Sequence, residues 1–523
     1  MSVDTNYQMA NKINLLSIQI LALATFMSFS LFIWQGNKGF SLWDEGFLWY
    51  GAQRVMLGEV PIRDFMAYDP GRYYGTAVLM SLWGDNGIMA LRGASAIFQS
   101  IGIFAGLLLI ARNLEKKDFL YLLLPAITFM VWMIMSFKAV DYSASILLIS
   151  ALAFLARSPT RRNYFLVGLC IGLTAIFGRN HGVYGIVGSL GVIFWLNIWR
   201  LKEIELIKCF SFWAAGVLTG FIPILLMALL IPGFAKSFWD SILFLFEIKA
   251  TNLILPIPWP WLVNFNSLPL GEVIRGLLVG LFFIGIVSFG VLSIIWVFWQ
   301  KFQNKQVPSV LVSSSFLALP YAHYAYSRAD VSHLSLGIFP LLVGCFALFA
   351  TQRDKVRWLL ALILSATSIW VAAVNYPGWQ CYVSEQCVDV EVSGSHLLVD
   401  KATASEVGLL FKLVNQYASN GQSFIATPFW PGAYPLLNRR SPMWELYALF
   451  PRTPVFERAE ISRIKEANPG FALVFDMPLD GRDELRFRNT HPLIHQYILD
   501  NFEPLSKLSN PAYQIYKKKG GAQ

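Results

Sequence analysis

Charge is scarce in this chain. Only 14% of its 523 residues are Asp, Glu, Lys or Arg, against about 25% in ordinary soluble proteins. With 56% of residues hydrophobic, that scarcity excludes a soluble globular protein. Internal repeats and low-complexity tracts are missing too, which argues against a transporter built from duplicated halves. A cleaved leader is not expected: the first apolar run, about 13–35, is too long and no small-residue cleavage site follows it.

Several apolar runs reach the length that crosses roughly 30 Å of hydrocarbon. Eleven are expected to span: 13–35, 87–111, 119–137, 140–156, 163–178, 182–199, 206–231, 273–299, 307–325, 333–351 and 357–375. Tyr73–Trp83 is too short and reads as an interfacial helix. The +9 net charge then reports topology, because cytoplasmic loops collect Lys and Arg, and nucleic acid is not implied. With a cytoplasmic N-terminus, the inside loops Arg112–Asp118, Arg157–Arg162, Arg200–Lys208, Lys301–Lys305 and Arg353–Arg357 are basic. The short outside turns hold only Lys138, Arg179 and Arg328. An odd number of spans puts the C-terminal segment outside.

The expected organisation is a membrane domain over 1–375 with an external loop at 36–86, followed by an extracytoplasmic α/β domain over 376–523. In that domain 424–427 and 471–475 read as short buried strands, and 402–419, 462–467 and 494–501 as helices. Cys170, Cys209 and Cys345 fall in apolar runs and serve as small hydrophobes. Cys381 and Cys387 lie in a polar segment on the outer side, where a disulfide is expected.

The loop 41–75 concentrates what charge there is: Asp44, Glu45, Glu59, Asp64 and Asp69, with Arg54, Arg63 and Arg72, among Trp and Tyr rings. The other polar clusters fall on the same side: Lys138/Asp141, GlyArgAsnHisGly at 178–182, the Pro/Trp loop 251–270 and SerArgAlaAspValSerHis at 327–333. Proline keeps regular helix out of ProIleProTrpProTrp at 256–261 within the expected outer loop Ala235–Gly271. Its tryptophans read as an interfacial anchor or as a lid over a lipid groove.

Each cluster carries two readings. Asp44 is either the N-cap of a helix over about 45–57 or a carboxylate base. Asp64 and Asp69 make turns, or contact the acceptor, or bind a divalent cation with Glu45. Asp141 pairs with Lys138 or lines a sugar pocket. Arg328 and His333 bind phosphate, or pair with Asp330 at a helix start; Asp330 with His333 is also a candidate metal pair. Arg179 and His181 sit beside glycines that let backbone approach a ligand, or simply cap a turn. Arg72, with Tyr73 and Tyr74, binds phosphate near Asp44 if the loop folds back on itself, or anchors the interface.

TrpAspGluGly at 43–46, TyrGlyAlaGlnArg at 50–54, GlyGluValProIleArgAspPhe at 58–65, AspProGlyArgTyrTyr at 69–74 and AlaLeuArgGlyAlaSerAlaIlePhe at 90–98 together resemble the first external loop and second span of bacterial GT-C membrane glycosyltransferases. The branch they resemble is that of the protein-mannosyltransferase and aminoarabinose-transferase group. The resemblance implies a multi-pass enzyme of the bacterial inner membrane with an extracytoplasmic site. It implies an inverting transfer of sugar from a polyprenyl-phosphate donor to a hydroxyl of a cell-envelope glycan, lipid or protein. In the matching motif Asp44 is the catalytic base, with Glu45 its helper. A poor hydroxyl nucleophile needs such a base. The leaving lipid phosphate needs positive charge, for which Arg328, His333, Arg72, Arg179 and His181 are candidates; Asp64, Asp69, Tyr73, Tyr74 and Asp141 are candidates for substrate contact. A glycosidase would want two carboxylates flanking the bond, and a soluble-type sugar-nucleotide enzyme a nucleotide domain. No cofactor is required by this chemistry, and a divalent metal is the open alternative. A flippase for a lipid-linked saccharide and a non-catalytic scaffold are the rival readings.

Overall fold

The computed structural model describes residues 2–114, 118–198, 203–376, 378–383, 386–505 and 512–520. Lys116, Lys117, Arg200 and Lys202 of the expected basic loops lie outside the described residues. The chain divides into two compact units: Met1–Gly36, Arg92–Leu229 and Ala250–Tyr376 form one, and Asn37–Leu91, Leu230–Lys249 and Pro377–Gln523 the other.

The first unit is helical and is that of a multi-pass membrane protein. Among the described residues six helices are long and apolar enough to cross a bilayer: Leu15–Gln35, Ile88–Ala111, Ser136–Arg157, Ile204–Leu230, Leu270–Phe302 and Asp354–Asn375. A seventh span counts if Val331–Gly337 and Phe339–Ala350, bent by 57°, are taken together. Pro340 near the start of the second piece removes a backbone donor there, which accounts for the break. The segments expected at 163–178 and 182–199 are helices too, Arg161–Phe177 of 17 residues and Arg179–Asn197 of 19, and neither is among the six. The first of them crosses Glu203–Leu230 on paired small-residue motifs. A β-carbon on Gly168 or Gly172 would lie 2.1 Å from Trp213 O or 2.3 Å from Val217 O, and one on Gly216 or Gly220 would strike the facing backbone equally closely. In hydrocarbon, where no hydrophobic force joins helices, such close backbone packing supplies the attraction.

The second unit gathers the loop Asn37–Leu91 with the C-terminal domain. Its four-stranded sheet runs Ile425–Thr427, Phe471–Phe475, Tyr513–Lys518, Phe502–Pro504. The first pair is parallel, with Ala426 opposite Leu473, and the other pairings are antiparallel. A parallel pair needs a crossover, which here includes the helix Pro454–Ala467. Asp400 accepts from the N–H groups of Ala402 and Thr403 at 3.0 Å and so starts the helix Lys401–Tyr417. Two elements differ from the expectation. The start of the region read as an outer loop from 235 is a helix, Phe234–Ile248, because proline breaks the pattern only from 256 onward. A hairpin of Cys387–Val392 and Ser395–Asp400 adds a second sheet, turning through Ser393 and Gly394 at positive φ. Cys381 and Cys387 are joined, with Cα atoms 5.1 Å apart.

Candidate functional site

Asp44 is the first residue of the helix Asp44–Met56. The preceding Trp43 occupies the cap position without a side-chain hydrogen bond, so Asp44 does not cap this helix. Its carboxylate is exposed and is held from the C-terminal domain: the Tyr447 hydroxyl donates to Oδ1 at 2.9 Å. Among the described residues Oδ2 has no hydrogen-bond partner. Burial, and then the Asp44 charge, push the Tyr447 phenol well above its ordinary value, so it stays protonated and donates.

Around this pair runs an aromatic cluster. Phe47, one turn along the helix, meets Tyr447 and Tyr68 edge-on at 5.0 Å each and Tyr73 at 6.3 Å. The Tyr68 N–H donates to the Tyr73 hydroxyl at 3.0 Å. The Arg72 guanidinium lies over the Tyr68 ring, 5.2 Å from its centre. The fold thus brings Asp44, Arg72 and Tyr73 of the expected set to one cluster, although 28 residues separate Asp44 from Arg72. Arg72, Tyr73 and Asp69 are buried. Asp69 precedes the helix Pro70–Trp83 without a side-chain cap bond. Glu45 is also buried and accepts weakly from the Ser41 N–H at 3.4 Å, which ties the chain entering the helix.

Asp64 is occupied locally. Arg63 donates to both its oxygens at 2.7 and 2.8 Å, and the Val60 N–H to Oδ2 at 2.8 Å. Burial raises its carboxyl, but the Arg63 and Val60 hydrogen bonds outweigh burial and leave it below the usual value. This is turn chemistry. Tyr74 sits within the field of that Arg63–Asp64 clasp.

The remaining candidates fall in the first unit. Asp141 and His181 meet: His181 Nε2 lies 3.1 Å from Asp141 Oδ1, and His181 Nδ1 lies 2.7 Å from the Tyr321 hydroxyl. Tyr324 also donates to Asp141 Oδ1, at 3.2 Å. Both ring nitrogens of His181 are engaged and the side chain is fully buried. Arg179 opens the same helix, Arg179–Asn197. In the turn before Val331, Arg328 donates to Asp330 at 3.1 Å and to the Leu253 carbonyl at 3.2 Å. The His333 N–H donates to Asp330 Oδ1 at 2.8 Å, so Asp330 caps the helix. Asn252 Oδ1 accepts from the Leu253 N–H, so the Asn252 amide group donates to His333 Nε2 at 2.8 Å. That leaves Nδ1–H to donate to Asp330 Oδ1 at 2.8 Å and sets the neutral tautomer. Among the described residues no three His, Cys, Asp or Glu side chains group in a way that holds a metal ion.

Reading the sequence missed Tyr447, Tyr321, Tyr324 and Asn252. It also missed the buried set in which Glu445 meets Arg452 at 2.7 Å and His491 at 2.8 Å. None carries a local signal: each gains its meaning from a partner on a distant segment.

No protein-family model and no curated protein matches this chain. Solved structures do. The oligosaccharyltransferase of Archaeoglobus fulgidus, in complex with Zn and sulfate, is similar over 95% of this chain and 73% of its own, at 11% identity and TM-score 0.50. ArnT from Cupriavidus metallidurans bound to undecaprenyl phosphate is similar over 96% and 98%, at 12% identity and TM-score 0.49. Apo ArnT is similar over 97% and 98%, at 13% and 0.45. Identity this low speaks for the fold and not for the substrate. The chain shares the fold of the Archaeoglobus fulgidus oligosaccharyltransferase.

Proposed function

We propose that this protein is a glycosyltransferase that moves a sugar from a polyprenyl-phosphate donor to a hydroxyl of a cell-envelope glycan, lipid or protein, with inversion. The observation that carries this reading is the Asp44 carboxylate: exposed at the start of a helix, held through one oxygen and open at the other. In the proposed step Oδ2 takes the proton of the acceptor hydroxyl as its oxygen bonds to the anomeric carbon. The bond from that carbon to the lipid phosphate breaks, and the phosphate leaves with the electron pair.

The other residues take graded roles. Arg72, in the unit that also holds Asp44, is the cation assigned to the lipid phosphate, since guanidinium grips phosphate oxygens in a fork. His333 and His181 have both ring nitrogens engaged and are assigned to hold Asp330 and Asp141 in place. Tyr73 and Asp69 frame the acceptor side. Glu45 and Asp64 are assigned to shaping the loop. The enzyme is placed in the bacterial inner membrane, with a cytoplasmic N-terminus and with this loop and the α/β domain outside. The basic loops support that placement.

The test is transfer itself. Purified protein is incubated with radiolabelled undecaprenyl-phosphate sugars and an envelope extract. Label should move to an extract component, and Asp44→Asn, with an unchanged melting temperature, should abolish the transfer. Full transfer by Asp44→Asn would remove the base assignment; no transfer from any donor would remove the glycosyltransferase reading.

A further inference from the structure

We infer that Tyr447 is a positioning residue for the Asp44 base, so that the C-terminal α/β domain completes the reaction centre. The inference rests on the reading of Asp44 as the base. Its geometric core is the 2.9 Å hydrogen bond from the Tyr447 hydroxyl to Asp44 Oδ1, between residues 403 apart in the chain. A carboxylate on an exposed first turn has free rotation about its side-chain bonds. A donor fixed on one oxygen removes that freedom and aims the other oxygen.

The donor is itself held on several sides. The Tyr447 ring packs edge-on against Phe47 at 5.0 Å. Next to it, the Ala448 N–H donates to the Pro428 carbonyl at 2.8 Å. Upstream, the Ser441 N–H donates to the Tyr50 hydroxyl at 3.1 Å, and Trp444 Nε1 to the Ile62 carbonyl at 3.0 Å. The Met66 N–H returns a bond to the Trp444 carbonyl at 2.8 Å. Behind the segment, Glu460 accepts the N–H groups of Trp444 and Glu445 at 2.8 and 3.3 Å. The segment 441–448 is thus fixed to the base-bearing loop on one face and to its own domain on the other. Local folding needs none of this for Tyr447 to be a tyrosine: a phenylalanine would keep the same ring contact. Among the described residues the hydroxyl has one hydrogen-bond partner, and it is Asp44.

The test uses full-length protein, the undecaprenyl-phosphate sugar pool and the envelope extract. Rates are measured at saturating and limiting donor across pH. Tyr447→Phe keeps the ring and deletes the donor. Its kcat should fall about tenfold, the lower end of what a hydrogen bond to a charged group contributes, with donor KM unchanged. The acid side of its pH–rate profile should move to higher pH, because a hydrogen bond to the charged form favours that form. Incorporation of 3-fluorotyrosine at 447, a stronger donor of nearly the same shape, should move the profile the other way, and it decides the matter if the Phe variant folds poorly. Wild-type kcat and profile in Tyr447→Phe would overturn the positioning role while an inactive Asp44→Asn kept the base. A loss of rate with an unmoved profile in both variants would make Tyr447 merely structural. A fully active Asp44→Asn would end the base reading and this inference together.

Discussion

The α-carbon of Gly432 lies where a β-carbon on Gly46 would have to go. The separation would be 2.3 Å, with the Gly432 nitrogen at 2.5 Å. Two segments nearly 400 residues apart in sequence meet here backbone to backbone, and the Gly432 N–H donates to the Leu42 carbonyl at 2.8 Å. Gly46 is two residues past Asp44 on the same helical turn. The glycine of TrpAspGluGly therefore lets the helix that carries Asp44 seat against the C-terminal domain.

Gly46→Ala should destabilise this seat. The obstructing atoms are backbone and cannot rotate away, and overpacking of this kind costs about 1–3 kcal/mol. Better helix propensity returns at most about 1 kcal/mol. The melting temperature should fall, and transfer should fall with it as Asp44 moves off its Tyr447 contact. Gly408→Ala is the control: a β-carbon there meets nothing within 4 Å in the helix Lys401–Tyr417. That variant should be neutral or more stable, by up to about 1 kcal/mol. Equal melting temperatures for Gly46→Ala and wild type would show that the seat yields.

His181→Ala should cost more. It strips a partner from Asp141, whose side chain is 1% exposed. Leaving a charge buried with a partner removed costs about 3–5 kcal/mol. Asp141 keeps other contacts, the Tyr324 hydrogen bond among them, which places the effect at the lower end. Combining it with Asp141→Val removes the buried carboxylate and should recover part of the loss. Thermal unfolding in detergent measures both, and an additive double variant would show that the pair is not coupled.

Asp64 should make the opening loop sensitive to acid. Its carboxyl is depressed below the ordinary 3.8, since Arg63 and Val60 together overcome the burial that would raise it. A depressed folded-state value contributes stability above the unfolded value and loses it as pH falls through the folded one. The stability gap between wild type and Asp64→Asn should therefore be constant above about pH 5 and shrink below 3.8. Amide exchange at Val60, the donor to Asp64 Oδ2, reports it directly. A gap that does not change with pH would show that the clasp does not favour the charged carboxylate.

Some of this was legible in one dimension. A bilayer imposes length and apolarity on a segment without reference to any other segment, so the membrane helices read directly from composition. The strand Phe471–Phe475 likewise has the bounds that its apolar run and flanking turns indicate. The helix Phe234–Ile248 was obscured by the prolines that follow it. The hairpin at Cys387–Asp400 is half exposed, and its period-two pattern is weak.

The sequence by itself determined a multi-pass helical protein, a polar loop beginning with Asp44 and a mixed α/β segment after the last span. Each of these rests on residues that are neighbours in the chain. Tertiary structure alone decided which carboxylates remain open. Asp64 is closed by Arg63, its neighbour in the chain, and Asp141 by His181 on another helix. Asp44 is held by a tyrosine 403 residues downstream. The physical reason is that a carboxylate's role depends on which of its oxygens are already satisfied, and the satisfying donors are chosen by packing, not by spacing.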